Sequence, residues 1–311
     1  MKNQALFAST GSPLIGHGGP VQALACTAQG DQLASCDNLG VVRRWRPETG
    51  ESAGDSIQAG CHAWCLAYSP SGRELAVGDE QGRVLRWDSQ TGQARSPQVE
   101  GHLKTVHQVL YAADGESMLS CSADGFVTRW SAAGRPLMSR DLGVPVHSLA
   151  VSPDGSQWIS GTETLLQRWD ARTDRPLGKS IDWNGHMDGL CYSPDGKAFA
   201  HIHDNRLQQW EAETGRVLWK AAVHPSEELL CACYTPDGRE LVTCSDGGRI
   251  HCWNAQTGEM LGAPIQGSQG LVQALAFTPE GLLFTGSENG SIGRWRGRAA
   301  SLPLSAVEVD F

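Results

Sequence analysis

Apolar positions along the chain come in short bursts, typified by HAWCLAY (62–68) and RELAVG (73–78), and each burst ends in a cluster of Gly, Pro, Ser or Asp. Runs of this length bounded by turn residues predict strands, and the 3.6-residue spacing of an amphipathic helix is missing. Between many of the bursts stands one tight turn, read as SPSG (69–72), AADG (112–115), SPDG (152–155 and 193–196), TPDG (235–238) and TPEG (278–281), with TAQG (27–30) as a worn first copy. Pro presets φ at the first turn position and Gly accepts positive φ, so each marks a hairpin.

A Trp ends the third burst of every unit: Trp45, Trp87, Trp130, Trp169, Trp210, Trp253 and Trp295, spaced 42, 43, 39, 41, 43 and 42 residues apart. Seven units of about four strands with a period near 40 predict an all-β, seven-bladed β-propeller of four-stranded antiparallel blades, occupying residues 1–311 as one domain. A large flat indole on the third strand suits the wedge between neighbouring blades, which accounts for one Trp per unit.

The units resemble WD repeats, whose Gly-His, strand, SPDG turn, strand, Asp-Gly turn and Trp-Asp are met from about Leu14 to Trp295. Gly-His survives as Gly16-His17, Gly101-His102 and Gly185-His186, and Trp-Asp as Trp87-Asp88 and Trp169-Asp170. WDARTDRPLGKSID and WNAQTGEMLGAPIQ are similar to the regular bacterial members, which points to a bacterial source. The resemblance implies a hydrogen-bonded chain of His, strand Ser or Thr, turn Asp and Trp inside a blade. The third unit alone carries all four, as His102, Ser120, Asp124 and Trp130; the fifth keeps His186, Asp204 and Trp210 with Ala200 at the Ser position. Such a network is structural, not catalytic.

An open ring would expose strand edges. Residues 9–19 match the stretch 256–270 that follows Trp253, so residues 1–16 are expected to supply the outer strand of the seventh blade. The C-terminal SLPLSAVEV, within the 300–311 tail, is the competing candidate.

A net charge of −9 with no Lys/Arg cluster opposes a nucleic-acid surface. The lack of an 18-residue apolar segment or an apolar leader predicts a cytoplasmic chain with no membrane partner. The ten Cys fall mostly inside strand-like runs and are expected as buried thiols.

No catalytic motif stands up. GxSxG and HExxH do not occur, and LGKS (177–180) lacks the upstream Gly of a phosphate loop because Thr173 stands there. Cys61-x3-Cys65 and Cys231-x-Cys233 lack zinc-ligand partners, and the ligand-like His201, His203 and Asp204 would need a further ligand from another blade. Neither metal nor cofactor is therefore expected. Arg precedes the Trp in five units, as Arg44, Arg86, Arg129, Arg168 and Arg294, and inter-blade ion pairs with the hairpin-turn residues Asp114, Asp154, Asp195 and Asp237 are expected to neutralise it.

One column on the first strand varies in chemistry where its neighbours stay small or apolar: Gln22, Trp64, His107, His147, Asp188, Leu230 and Gln273, with Trp183 in the loop entering the fifth unit. The resemblance implies that this position points from the narrow face toward partners. Trp64 is either an interaction anchor flanked by His residues or a plug of the channel mouth. The expectation is a monomeric, non-catalytic scaffold for a protein or peptide partner. The alternative is a small-ligand or metal-dependent enzyme using His107, His147 and Asp188.

Overall fold

The computed structural model describes residues 6–95, 98–183, 189–223, 225–268 and 270–297. They form seven four-stranded antiparallel sheets, with no helix among the described residues. Six blades are built from consecutive strands, running from the innermost to the outermost; the first is Val21–Cys26, Leu33–Asp37, Val41–Trp45 and Ile57–Gln58. The seventh is closed by the N-terminus: Phe7–Ser9 pairs outside Ile292–Gly297, with Phe7 opposite Gly297 and Ser9 opposite Trp295. Leu14 adds a bridge to Ile292, and Phe7 is buried against Phe277. The competing C-terminal segment lies outside the described residues.

Each repeat Trp packs into the blade before it. Trp87 lies in a core with Ala34, Val42 and Ile57 of the first blade, and Trp253 with Ile202 and Leu207 of the fifth. Trp45 lies with Phe284 of the seventh, across the ring closure. A buried indole N–H must find an acceptor. The acceptor sits two residues beyond the Trp's cross-strand partner on the second strand: Ser35, Ser120, Ser160, Thr243 and Thr285, at 2.7–3.0 Å. In the fifth blade Trp210 pairs with Phe199, so the position is His201, whose Nδ1 accepts the indole N–H at 2.9 Å. That corrects the placement of Ala200 there by one residue. In the second blade Val77 takes the position.

The complete chain exists twice. In the third blade His102 joins Ser120 at 2.7 Å and Asp124 at 3.1 Å, and Trp130 donates to Ser120. A Cβ on Gly101 would run into the Trp130 ring, so the residue before His102 must be Gly. In the first blade His17 joins Ser35 at 2.6 Å and Asp37 at 2.8 Å. The expectation of one complete blade is therefore wrong. Asp37 stands two residues beyond Ser35 at the strand end, whereas Asp124 stands four beyond Ser120 in the turn, yet both reach Nδ1. The second blade rebuilds the site with Cys61 in place of His, Asp79 accepting from it at 3.3 Å and from Arg83 at 2.6 Å. The sixth uses the buried Glu227, which binds Ser245 at 2.6 Å and His251 at 2.9 Å.

The Arg residues before the Trp do join blades, but not to the hairpin carboxylates. Those carboxylates are used inside their own turns, as where Ser152, Ser193 and Thr235 hydroxyls donate to Asp154, Asp195 and Asp237 at 2.6–2.7 Å. Asp114 likewise accepts from the Glu116 N–H. Arg44 instead donates to the Ser89 and Gln90 carbonyls of the next blade, Arg168 to those of Ala212 and Glu213, and Arg294 to those of Pro47 and Glu48 across the closure. Arg129 pairs with Asp174 of the next blade at 2.6 Å. Arg86 pairs within its own blade with Glu74, which also accepts from Tyr111 of the next.

Asp37 is fully buried, and its removal leaves His17 without its carboxylate. Asp37→Ala is therefore expected to cost about 1–3 kcal/mol, the same range as Asp124→Ala, in denaturant unfolding, while Glu80→Ala in an exposed turn costs little. A near-neutral Asp37→Ala would show that the first-blade chain does not form.

Candidate functional site: the rim where the innermost strands begin

The innermost strands start on one rim of the ring, beside the turns that join second to third strands, and near that start the ladder slips. The register shifts at Val21/Ala23, Ala63/Cys65, Val106/Gln108, Val146/Ser148, Leu229/Cys231 and Val272/Ala274. The residues skipped are Gln22, Trp64, His107, His147, Leu230 and Gln273, which is the variable column of the sequence. A β-bulge leaves its extra residue unpaired and re-aims the side chain. The column varies because neither ladder nor core dictates it. Asp188 lies outside the described residues, just ahead of the strand Gly189–Tyr192.

Four rings from consecutive blades form a ladder on this rim. The imidazole of His62 stacks on Trp64, with centroids 4.5 Å apart and planes 12° from parallel. Trp64 meets His107 edge-on at 6.0 Å, and His107 meets His147 at 5.1 Å. Glu163 lies 3.6 Å from His147. Trp64 is 37 % exposed, so part of its ring faces solvent while the rest packs on its neighbours. Burial lowers the His62 pKa, against the pull of Glu80 and Asp37. His62 was missed in the sequence because it stands before the strand, in the place of a loop residue.

The other column members behave differently. Gln273 donates its amide to the Val21 carbonyl at 3.2 Å and so stitches the seventh blade to the first. Gln22 and Leu230 are half-buried at their bulges. Trp183 lies against the fifth blade, edge-on to His201 at 5.4 Å and 5.3 Å from His203.

A second signal on this rim is apolar. Of the nine exposed large hydrophobic side chains among the described residues, Ile15, Leu39, Trp64, Leu103, Val144 and Leu165 lie in loops entering innermost strands, at a bulge, or at turns between second and third strands; the other three are Leu137, Leu218 and Met260. All six belong to the first four blades. The sequence did not single out the five aliphatic ones, because one Leu or Val in a loop has no periodic pattern to depart from.

Among the described residues no group of three or more His, Cys, Asp or Glu side chains is placed to hold a metal ion. His201 and His203 stack at 5.5 Å, but His201 Nδ1 is taken by Trp210 and both residues are buried. All ten cysteines are free thiols. No described helix is long and apolar enough to cross a membrane.

The profile of the family described as WD domain, G-beta repeat matches residues 56–88 and 95–131, the second and third units. A profile described as Outer membrane protein assembly factor BamB matches residues 203–261. No curated protein matches the chain significantly. The chain is a seven-bladed propeller with a Trp in each blade and the His–Ser–Asp–Trp chain in two, and its second and third units match the WD-repeat family, whose propeller fold commonly mediates protein–protein interaction.

Burial holds His201 at a pKa of about 3, with the His203 charge adding to the effect. Its unfolded value is near 6.5, so below that pH the unfolded chain takes up a proton that the native blade refuses, and stability falls with pH. Melting curves between pH 7.5 and 5 should show a smaller drop for His201→Gln than for wild type, the difference approaching ~1 kcal/mol per pH unit. Parallel curves would place the sensitivity elsewhere.

Proposed function

We propose that this propeller is a non-catalytic, monomeric, cytoplasmic platform that captures a protein or peptide partner on the rim bearing the Trp64 ladder, without a cofactor. The observation that carries the reading is the gathering of six of nine exposed large apolar side chains on that rim, around a stacked Trp. A monomer that keeps an apolar patch exposed there loses nothing in packing and gains a contact surface. Trp64 offers a flat, rigid anchor with few rotamers to freeze, and the imidazoles beside it add polar contacts of the kind found around interface hot spots. The net charge of −9 supports a partner other than nucleic acid.

A photocrosslinking residue installed at Leu103 identifies the partner, and titration calorimetry then measures it. Trp64→Ala should weaken binding by about 2 kcal/mol with the melting temperature nearly unchanged. Arg129→Ala should lower the melting temperature and leave affinity alone, because its partner Asp174 lies in the adjoining blade on the opposite rim. An affinity untouched by Trp64→Ala and His107→Ala together would remove this face.

A further inference from the structure

On the opposite rim, where hairpin turns and the turns after each Trp lie, the gap between blades five and six departs from its counterparts. In three gaps a guanidinium fills the same place, donating to the carbonyls two and three residues beyond the next blade's Trp: Arg44 to Ser89 and Gln90, Arg168 to Ala212 and Glu213, Arg294 to Pro47 and Glu48. In the fifth blade that residue is Gln209, too short to reach. The corresponding acceptors are the carbonyls of Ala255 and Gln256. The Trp219 indole N–H takes Ala255 at 3.0 Å, and its ring covers the turn glycine Gly258.

What is left is a solvent-open cavity of 740 Å³ lined by Gln209, Tyr234, Ala255 and Gln256. The gaps in which Arg86 and Arg129 stand hold only 260 and 290 Å³. Gln209 is 5 % and Tyr234 7 % exposed; their side chains interact with one another, and neither Gln209 Oε1 nor Tyr234 Oη has a hydrogen-bond partner outside the pair. Buried polar oxygens with lone pairs left over are costly, and a ligand that brings several N–H donors satisfies them. At the mouth stand Asp195 and Asp237, each in a loose surface ion pair with Lys197 or Arg239 at 3.9 and 3.7 Å. Both carboxyls are held below their ordinary pKa by hydroxyl and backbone donors of their own turns, so they are ionised at neutral pH.

We infer that this gap is a binding site for a guanidinium group on a flexible chain, which takes the place that Arg44, Arg168 and Arg294 occupy in three of the other gaps. The guanidinium would donate to Gln209 Oε1 and the Gln256 carbonyl, with Tyr234 beside it and Asp195 and Asp237 at the mouth. The group comes either on a small guanidino compound or on an arginine side chain of a peptide. The site is independent of the Trp64 face.

Calorimetric titration with agmatine and with acetyl-arginine-N-methylamide tests the assignment. At least one probe should saturate wild type at a 1:1 ratio, agmatine tighter if the ligand is a free small compound and the arginine amide tighter if it is a peptide side chain. Gln209→Arg, which installs the residue of the other gaps, should melt at or above the wild-type temperature and bind at least about tenfold more weakly. Tyr234→Phe, which deletes one oxygen and keeps the ring, should also weaken binding, and cadaverine, with the same charge type on an ammonium, should bind wild type about tenfold less well than the better guanidinium probe. Failure of both probes to saturate wild type below about 10 mM overturns the proposal. So does equal binding by cadaverine, or unchanged affinity in both variants.

Discussion

Two neighbouring twisted sheets arranged around an axis leave a wedge between them, narrow at the centre and wide at the rim, and a close-packed interior does not tolerate it empty. One indole per blade fills that wedge, and its N–H cannot be buried without an acceptor. The rest of the structure follows from these two demands. In six blades the acceptor stands two residues beyond the cross-strand partner of the Trp, as Ser or Thr on the second strand in five and His201 in the fifth, while the second blade has Val77 there. Where the acceptor is a hydroxyl, it can in turn be held by an imidazole and a carboxylate, as Ser35 and Ser120 are.

Packing of this kind occupies both faces of every sheet, so chemistry is left to the rims. On one rim six of the innermost strands spend a bulge residue, freeing six positions from the ladder. On the other, Arg44, Arg168 and Arg294 reach across to the next blade's turn carbonyls, a contact that holds those blades together by charge-assisted hydrogen bonds without needing a carboxylate, while Arg129 crosses to Asp174. The seventh blade obeys the same rules with strands from both ends of the described chain, and Arg294 crosses the closure as Arg44 and Arg168 cross their gaps.

The architecture was legible because the indole spacing is rigid: a period set by one Trp per wedge survives even where Gly-His and Trp-Asp have worn away. The variable column was legible for the same reason in reverse, since a bulge residue escapes the constraint its neighbours obey. Four things were not legible. The chain of the first blade hides behind an Asp displaced by two residues, and side-chain reach absorbs that displacement while alignment does not. The fifth-blade acceptor is displaced by one, because the register of a strand is set by pairing and not by resemblance. The partners of Arg44, Arg168 and Arg294 are backbone carbonyls, which carry no sequence signal. The aliphatic side chains around Trp64 were missed because exposure of a loop residue is decided by tertiary structure alone.

We propose the bulge column and its surrounding loops as the recognition face. Amide hydrogen exchange of the full chain, with and without the bound partner, tests it most directly. Protection is predicted in the segments around Leu39, Trp64, Leu103, His107 and Val144, with the outer strands and the hairpin turns at 69–72 and 152–155 exchanging as in the free protein. Protection confined to those turns or to the outer strands would contradict the account.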